Sequence, residues 1–226
     1  MTRLTDSGTL VVRNSGEASL RGEPSLEEIS RLRGEGFGRL GLCGLHPLLA
    51  TRAGAESLAG AGVTDVHLAL HGTAARVHEH VAGEGSFAAT EAAVLHARAA
   101  GLTVVVSSAL TRSTSRSLGE LPRWLVDRGA TGWLVEVPRV GALRGGHFDA
   151  VYPRLALAMP YALHALEAAR RMALFAWVRG APRCLLGPYG PRALEEAPRS
   201  YDPRCAGCPA RARCGGVDAA YLARFA

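Results

Sequence analysis

The chain contains no lysine and no glutamine, and it has a single isoleucine, Ile29, and a single asparagine, Asn14, in 226 residues. Without lysine there is no Schiff-base nucleophile and no Walker P-loop, because both need a primary amine on a flexible stem. All 26 basic residues are therefore arginine, and against 20 acidic residues they set a formal net charge of +6. A positive balance can serve an acidic partner. Here, however, the arginines are dispersed and aromatic residues make up only 6% of the chain. The stacking platforms of single-strand binders are missing, which argues against nucleic acid as a partner. No run of about 18 uncharged apolar residues occurs, so no membrane span is expected. Residues 1–20 are polar or charged at intervals throughout and lack the apolar stretch of a secretory signal. A cytoplasmic, reducing setting is expected, in which the five cysteines are not disulfides.

Several catalytic signatures are also missing. Ser107, Ser108, Ser113 and Ser115 lie in no G-x-S-x-G elbow, which argues against a serine hydrolase. Glu136 is alone on its expected strand, so no glycosidase carboxylate pair can be assigned.

What the chain has is a repeated glycine-punctuated design. "EGFGRLGLCG", "AGVTDVHLALHG", "AGLTVVVSSALT" and "RGATGWLVEVP" each place a glycine, Gly36, Gly62, Gly101 and Gly129, just ahead of a short apolar run of strand character. Each glycine is expected to close a helix. Ser25 with Glu28, and Ser117 with Glu120, read as capping boxes before the apolar stripes Leu26, Ile29, Leu32 and Leu121, Trp124, Leu125. Ser86 reads as the cap of a third helix. A long helix is expected from an Asp149 cap to Met172 with a kink at Pro160, followed by the strand "ALFAWV". Strands alternating with helices predict βαβ units and a parallel sheet of five or six strands, too few for a closed eight-fold barrel. The expected class is α/β, an open sheet or a partial barrel, over residues 1–180, with a cysteine-rich extension over 181–226.

Chemistry in such folds gathers at the carboxyl ends of the strands. His71 stands at such an end and is expected to cap its loop, whereas His67 reads as a packed or half-exposed strand residue. His78 and His80 in "RVHEH" read as an extended, solvated segment with no third ligand nearby.

The tail carries the strongest signal. "CAGCPARARC" spaces Cys205, Cys208 and Cys214 as C-x2-C-x5-C, and Cys184 stands upstream in "PRCLLG". C-x2-C brings two sulfurs to one side of a tight turn, and four thiols complete a tetrahedral set. An all-sulfur donor set suits zinc or an iron-sulfur cluster and excludes hard ions such as magnesium. Free thiols are the bland alternative. Arg204, Arg211 and Arg213 flank the set and favour thiolates, while Tyr189 and Trp177 read as packing residues.

Taken in order, "GEPSL", "GFGRLGLCG", "GVTDVHLALHG", "GEGSF", "GLTVVVSSALT" and "LGELPRWLVDRGATGWLVEVP" resemble the core of radical S-adenosylmethionine (SAM) proteins over Leu20 to Val140. The resemblance implies a partial parallel (β/α)6 barrel, a TIM-barrel-like fold, with Gly22, Glu23 and Pro24 as a remnant of the G-G-E-P turn that binds SAM, and with Arg21 in place of the first glycine. The C-x2-C-x5-C tail resembles the SPASM and twitch extensions that hold auxiliary [4Fe-4S] clusters, with Cys184, Cys205, Cys208 and Cys214 as the implied ligands. Two departures stand out. The C-x3-C-x2-C motif that seats the catalytic cluster is missing, and the family's T-N-G has become Gly44, Leu45 and His46. The expectation is therefore a radical-SAM-like accessory subunit whose partner is a full-length radical SAM enzyme or a peptide or protein substrate. An auxiliary-cluster oxidoreductase or maturase, and a zinc-stabilised binding module, remain open beside it.

Overall fold

The computed structural model describes residues 2–5, 8–14, 16–139, 148–194 and 200–225. Eight strands, β1 (Thr2–Thr5), β2 (Gly8–Asn14), β3 (Glu17–Gly22), β4 (Arg39–Cys43), β5 (Asp65–Ala69), β6 (Thr103–Ala109), β7 (Gly132–Glu136) and β8 (Phe175–Arg179), form one sheet in chain order. From β3 to β8 the sheet is parallel and flanked by helices. The intervening helices are α1 (Leu26–Gly34), α2 (Arg52–Ala61), α3 (Ala75–Ala82), α4 (Ser86–Ala99), α5 (Leu121–Asp127), α6 (Phe148–Val151) and α7 (Leu155–Arg171), and α8 (Ala219–Phe225) follows the cysteine-rich segment. The α/β class and the six parallel strands agree with the sequence pattern. The antiparallel entry does not: β1 pairs with β2 and β2 with β3, the latter closing at Asn14 opposite Glu17.

The chain packs as two compact units. The first comprises Met1–Leu70, Ala74–Ser107 and Leu125–Gly132. Its core is built from Leu20, Leu40, Leu42, Val66, Leu68, Val104 and Val106 of the strands against Ile29, Leu32, Leu58 and Val94 of the helices, all nearly inaccessible to solvent. The cap of α1 forms as its sequence predicts, with the Glu28 N–H donating to Ser25 Oγ at 3.2 Å. Helix ends follow a common pattern in which the glycine N–H returns to the residue three back and the next N–H to the residue five back. Examples are Gly62 to Ala59 with Val63 to Leu58, and Gly129 to Val126 with Ala130 to Leu125. This is the Schellman arrangement, and it needs a left-handed residue. Gly62 supplies it at φ 117°, where a Cβ would meet Arg33 Cγ at 2.9 Å.

The second unit comprises His71–Thr73, Ser108–Trp124 and Trp133–Ala226. Leu110, Leu118, Trp133, Val135, Tyr152, Leu155, Leu166 and Val178 make its core. Trp133 Nε1–H donates to Ser108 Oγ at 2.9 Å, and both residues are fully enclosed. The helix α7 ends in the same pattern as the glycine-closed helices, with Ala173 N–H to Arg170 and Leu174 N–H to Ala169, but the left-handed position, φ 55°, is held by Ala173.

Four local expectations are corrected. Ser86 is the first residue of α4 rather than its cap, and its hydroxyl donates to the Gly83 carbonyl. Ser117 and Glu120 form no box: residues Ser115–Glu120 are a 3-10 turn in which Ser117 Oγ donates to the Thr114 carbonyl and Glu120 accepts from Thr73 Oγ1 at 2.6 Å. "RVHEH" is helical, in α3, and His78 is buried with its ring edge-on to Phe87 at 6.0 Å. Desolvation holds its pKa below the ordinary histidine value. The expected long helix is broken into α6 and α7 around Pro153, with Pro160 inside α7. Asp149 falls in α6 and its side chain lies outside the described residues.

Candidate metal centre

The cysteine segment is built from turns three residues apart. Asp202 starts it by capping the 3-10 turn Pro203–Cys205: its carboxylate accepts the Arg204 N–H at 2.8 Å, and its carbonyl accepts the Cys205 N–H at 2.9 Å. From there the Cys208 N–H bonds the Cys205 carbonyl at 3.2 Å, the Arg211 N–H the Cys208 carbonyl at 3.1 Å, and the Cys214 N–H the Arg211 carbonyl at 3.1 Å. With close to three residues per turn, side chains three apart point the same way. Cys205, Cys208 and Cys214 each stand at the end of one of these turns, and Arg211 at the end of the turn between Cys208 and Cys214.

Two clasps hold this loop. Ser200 and Val217 exchange backbone hydrogen bonds at 3.0 and 2.9 Å, and Tyr201 Oη–H donates to the Cys214 carbonyl at 2.8 Å. Gly216 makes the first clasp possible: at φ 67° a Cβ would stand 2.3 Å from the Ser200 carbonyl oxygen. Tyr201 also stacks under the Arg211 guanidinium, 4.9 Å from its ring centroid.

Cys184 joins from the other side of the segment. It lies just beyond the carboxyl end of β8, in the 3-10 turn Arg183–Leu185, and the Arg183 N–H donates to Cys214 Sγ at 3.4 Å. Burial pushes the Cys184 thiol up, and the sulfurs of Cys214, Cys208 and Cys205 push it further. The sulfurs of Cys205, Cys208 and Cys214 thus all act on the Cys184 thiol within the second unit, and Cys43 ends β4 in the first. Among the described residues no group of three or more His, Cys, Asp or Glu side chains stands close enough together to hold a metal ion. Arg204 is pinned by Asp202 through Nε and Nη2 at 2.7 Å, and its hydrogen bond holds the Asp202 carboxyl down to about 2. Asp202 and Tyr201 were not singled out in the sequence. An Asp-Pro pair two residues ahead of a cysteine is the signal that marks such a cap.

The other predicted sites have structural partners. Gly22, at φ 102°, ends β3, Glu23 is exposed, and Pro24 is buried. The Pro24 carbonyl faces His46 Nε2 at 3.3 Å, and the Leu48 N–H donates to Nδ1 of the same ring at 3.2 Å. Since Nδ1 accepts, Nε2 carries the proton and donates to Pro24. His71 Nδ1 accepts the Ala109 N–H at 3.1 Å, the loop-capping role expected of it. Glu136 pairs with Arg179 at 2.7 Å, and Tyr189 hydrogen-bonds Glu167. Trp177 stacks on Phe175, with ring centroids 6.2 Å apart.

No family model and no curated protein matches the chain. Among solved structures, a Rhizobium etli pyruvate carboxylase is similar over 89% of this chain and 21% of its own, with a TM-score of 0.48 and 12% identity. The chain thus spans about a fifth of that protein.

Proposed function

We propose that Cys184, Cys205, Cys208 and Cys214 hold an auxiliary [4Fe-4S] cluster, and that the chain is a radical-SAM-like partial (β/α)6 barrel acting as an accessory or partner subunit in a modification pathway. The observation that carries this reading is the Arg183 N–H on Cys214 Sγ, which ties the segment of the upstream thiol to the three downstream ones. The donor set fits the group: four soft sulfurs, a backbone donor already on one of them, and the arginines 211 and 213 to offset a cluster's negative charge. A bound cluster would supply one-electron transfer at a potential set by those hydrogen bonds and by exposure.

The barrel part of the reading is supported by six parallel strands in chain order and by the Gly22–Pro24 turn at the end of β3. The antiparallel β2–β3 hairpin supports the loss of radical initiation. Asn14 opposes Glu17, which leaves no loop for three thiolates between those strands. A companion radical SAM enzyme would then supply the radical, and the chain would serve as a maturase or oxidoreductase subunit.

A second reading, a zinc-stabilised binding module, is favoured by one observation. Between Ala181 and α8 the described chain forms only short 3-10 turns and isolated bridges, a segment of the kind that a structural zinc folds outright. Anaerobically purified protein separates the two. The cluster reading expects a brown protein with about four iron and four sulfide per chain, and a colourless protein with one zinc overturns it. Titration with SAM tests the remnant turn: binding that weakens in Glu23→Ala supports it, and no binding removes SAM from the account.

A further inference from the structure

The sheet of the first unit has two unlike faces. Leu20, Leu42, Val66, Leu68, Val104 and Val106 are buried on one, and the alternate residues of the same strands stand on the other. Along that second face the register lines up Arg21 of β3, Cys43 of β4, His67 of β5 and Val105 of β6 as successive partners. Partners on adjacent parallel strands carry their side chains on one face, with the strands about 4.8 Å apart. Cys43 therefore has the strand position of a guanidinium on one side and that of an imidazole on the other. Arg21 is exposed, and Cys43 and His67 are half-buried, so the row is open to a solute. The next pair on this face toward the carboxyl ends is Ala69 and Ser107, both small. Open α/β sheets present their ligand sites at those ends.

The imidazole is held by a neighbour on its own strand. His67 Nε2 lies 2.8 Å from Asp65 Oδ2. The Asp65 carboxylate is buried, takes the Thr64 hydroxyl at 2.8 Å and has Arg39 Nη2 at 3.7 Å. Gly41, the register partner of Asp65, makes room for that carboxylate, since a Cβ there would stand 2.5 Å from Asp65 Oδ2. An ionised carboxylate only accepts, so Nε2 carries the proton, and Nδ1 of the neutral ring is the acceptor. A thiol, a base beside it and a third group that orients the base are the parts of an activated nucleophile.

We infer that Cys43 is a nucleophile for acyl transfer from an ester or thioester whose acyl part carries a carboxylate, with His67 as its base, Asp65 as the positioning residue of that base and Arg21 as the cation that receives the carboxylate. The thiol proton passes to His67 Nδ1 as Sγ bonds the carbonyl carbon. Collapse of the tetrahedral adduct breaks the bond to the leaving oxygen or sulfur, which takes the proton back from Nδ1. Water, giving a proton to Nδ1, then attacks the thioester, and the departing Sγ recovers that proton as the acid is released. The site shares no residue with the cysteine tail, and the inference stands whether or not those thiols hold a metal.

Reaction of the full-length protein with p-nitrophenyl acetate and p-nitrophenyl hemisuccinate tests it. About one nitrophenolate per chain is released in a burst, and peptide mapping at acid pH places the acyl group on Cys43. Cys43→Ser loses the burst with an unchanged melting temperature. His67→Gln slows acylation about a hundredfold or more. Asp65→Asn lowers the acylation rate constant about tenfold or more and leaves KM as it is. Arg21→Gln does the reverse, raising KM for the hemisuccinate about tenfold, as expected when a charge-assisted contact is removed, and leaving the acetate unaffected. Arg52→Gln, on the exposed face of α2, changes neither constant. No burst, an acyl group mapped to a cysteine other than Cys43, or a His67→Gln chain that acylates like the native one overturns the inference. The peptide map is made on the native chain, so it decides the matter even where a variant fails to fold.

Discussion

The Arg183 N–H donates to Cys214 Sγ at 3.4 Å, a contact between residues 31 positions apart in the chain. It joins the exit of β8 to the end of the C-x2-C-x5-C run. A structured sulfur-facing N–H of this kind tunes as well as positions a metal site.

The clasp at Gly216 is expected to matter as much as the thiols. With its Cβ 2.3 Å from the Ser200 carbonyl oxygen, Gly216→Ala forces the bridge between Ser200 and Val217 apart. The variant keeps all four thiols, yet its metal content after anaerobic purification is expected to fall below about half of that of the native chain. Unchanged content would show that the clasp does not position the ligands.

Helix ends give a pair of opposite signs. Gly62→Ala puts a side chain at φ 117° against Arg33 and is expected to destabilise by about 1 kcal/mol or more. Ala173→Gly relieves a left-handed alanine at φ 55° and is expected to stabilise by about 1 kcal/mol. Urea midpoints of the two variants check both, and a destabilised Ala173→Gly would contradict the reading of that helix end.

Ser108→Ala tests the core of the second unit. It removes the hydroxyl that takes the Trp133 Nε1–H at 2.9 Å in a fully buried setting. Leaving that donor without the bond is expected to cost about 1–3 kcal/mol, read as a lower urea midpoint.

Asp65 sets an acid-limb dependence. Burial pushes its pKa up, but hydrogen bonds from His67 and Thr64, each at 2.8 Å, and the charge of Arg39 outweigh burial and leave it below the ordinary carboxylate value. A folded pKa below the unfolded one stabilises the native state above the unfolded value of about 3.9, and the contribution is lost as pH falls through the folded pKa. Asp65→Asn is therefore expected to lower stability at pH 7, with the difference shrinking below about pH 4. A constant difference across that range would contradict the assignment.

The residues that made parts of this structure legible are those whose meaning is local. Glycines ahead of apolar runs announced the helix ends, because few other residues accept a left-handed backbone, and C-x2-C announced the tight turn at Cys205 and Cys208. The misses came from non-local choices. Ala173 takes a glycine's place because the strand that follows dictates the turn, and "RVHEH" becomes helical because His78 has Phe87 to pack against. The hairpin of β2 and β3 was hidden because a strand does not declare the direction of its neighbour.

Metal content of anaerobically purified single-cysteine variants tests the central claim most directly. If Cys184, Cys205, Cys208 and Cys214 together hold one centre, Cys184→Ala loses most of its metal and colour, as do the corresponding variants of the other three, while Cys43→Ala retains both. Native-like metal in Cys184→Ala, or equal loss in Cys43→Ala, would contradict it.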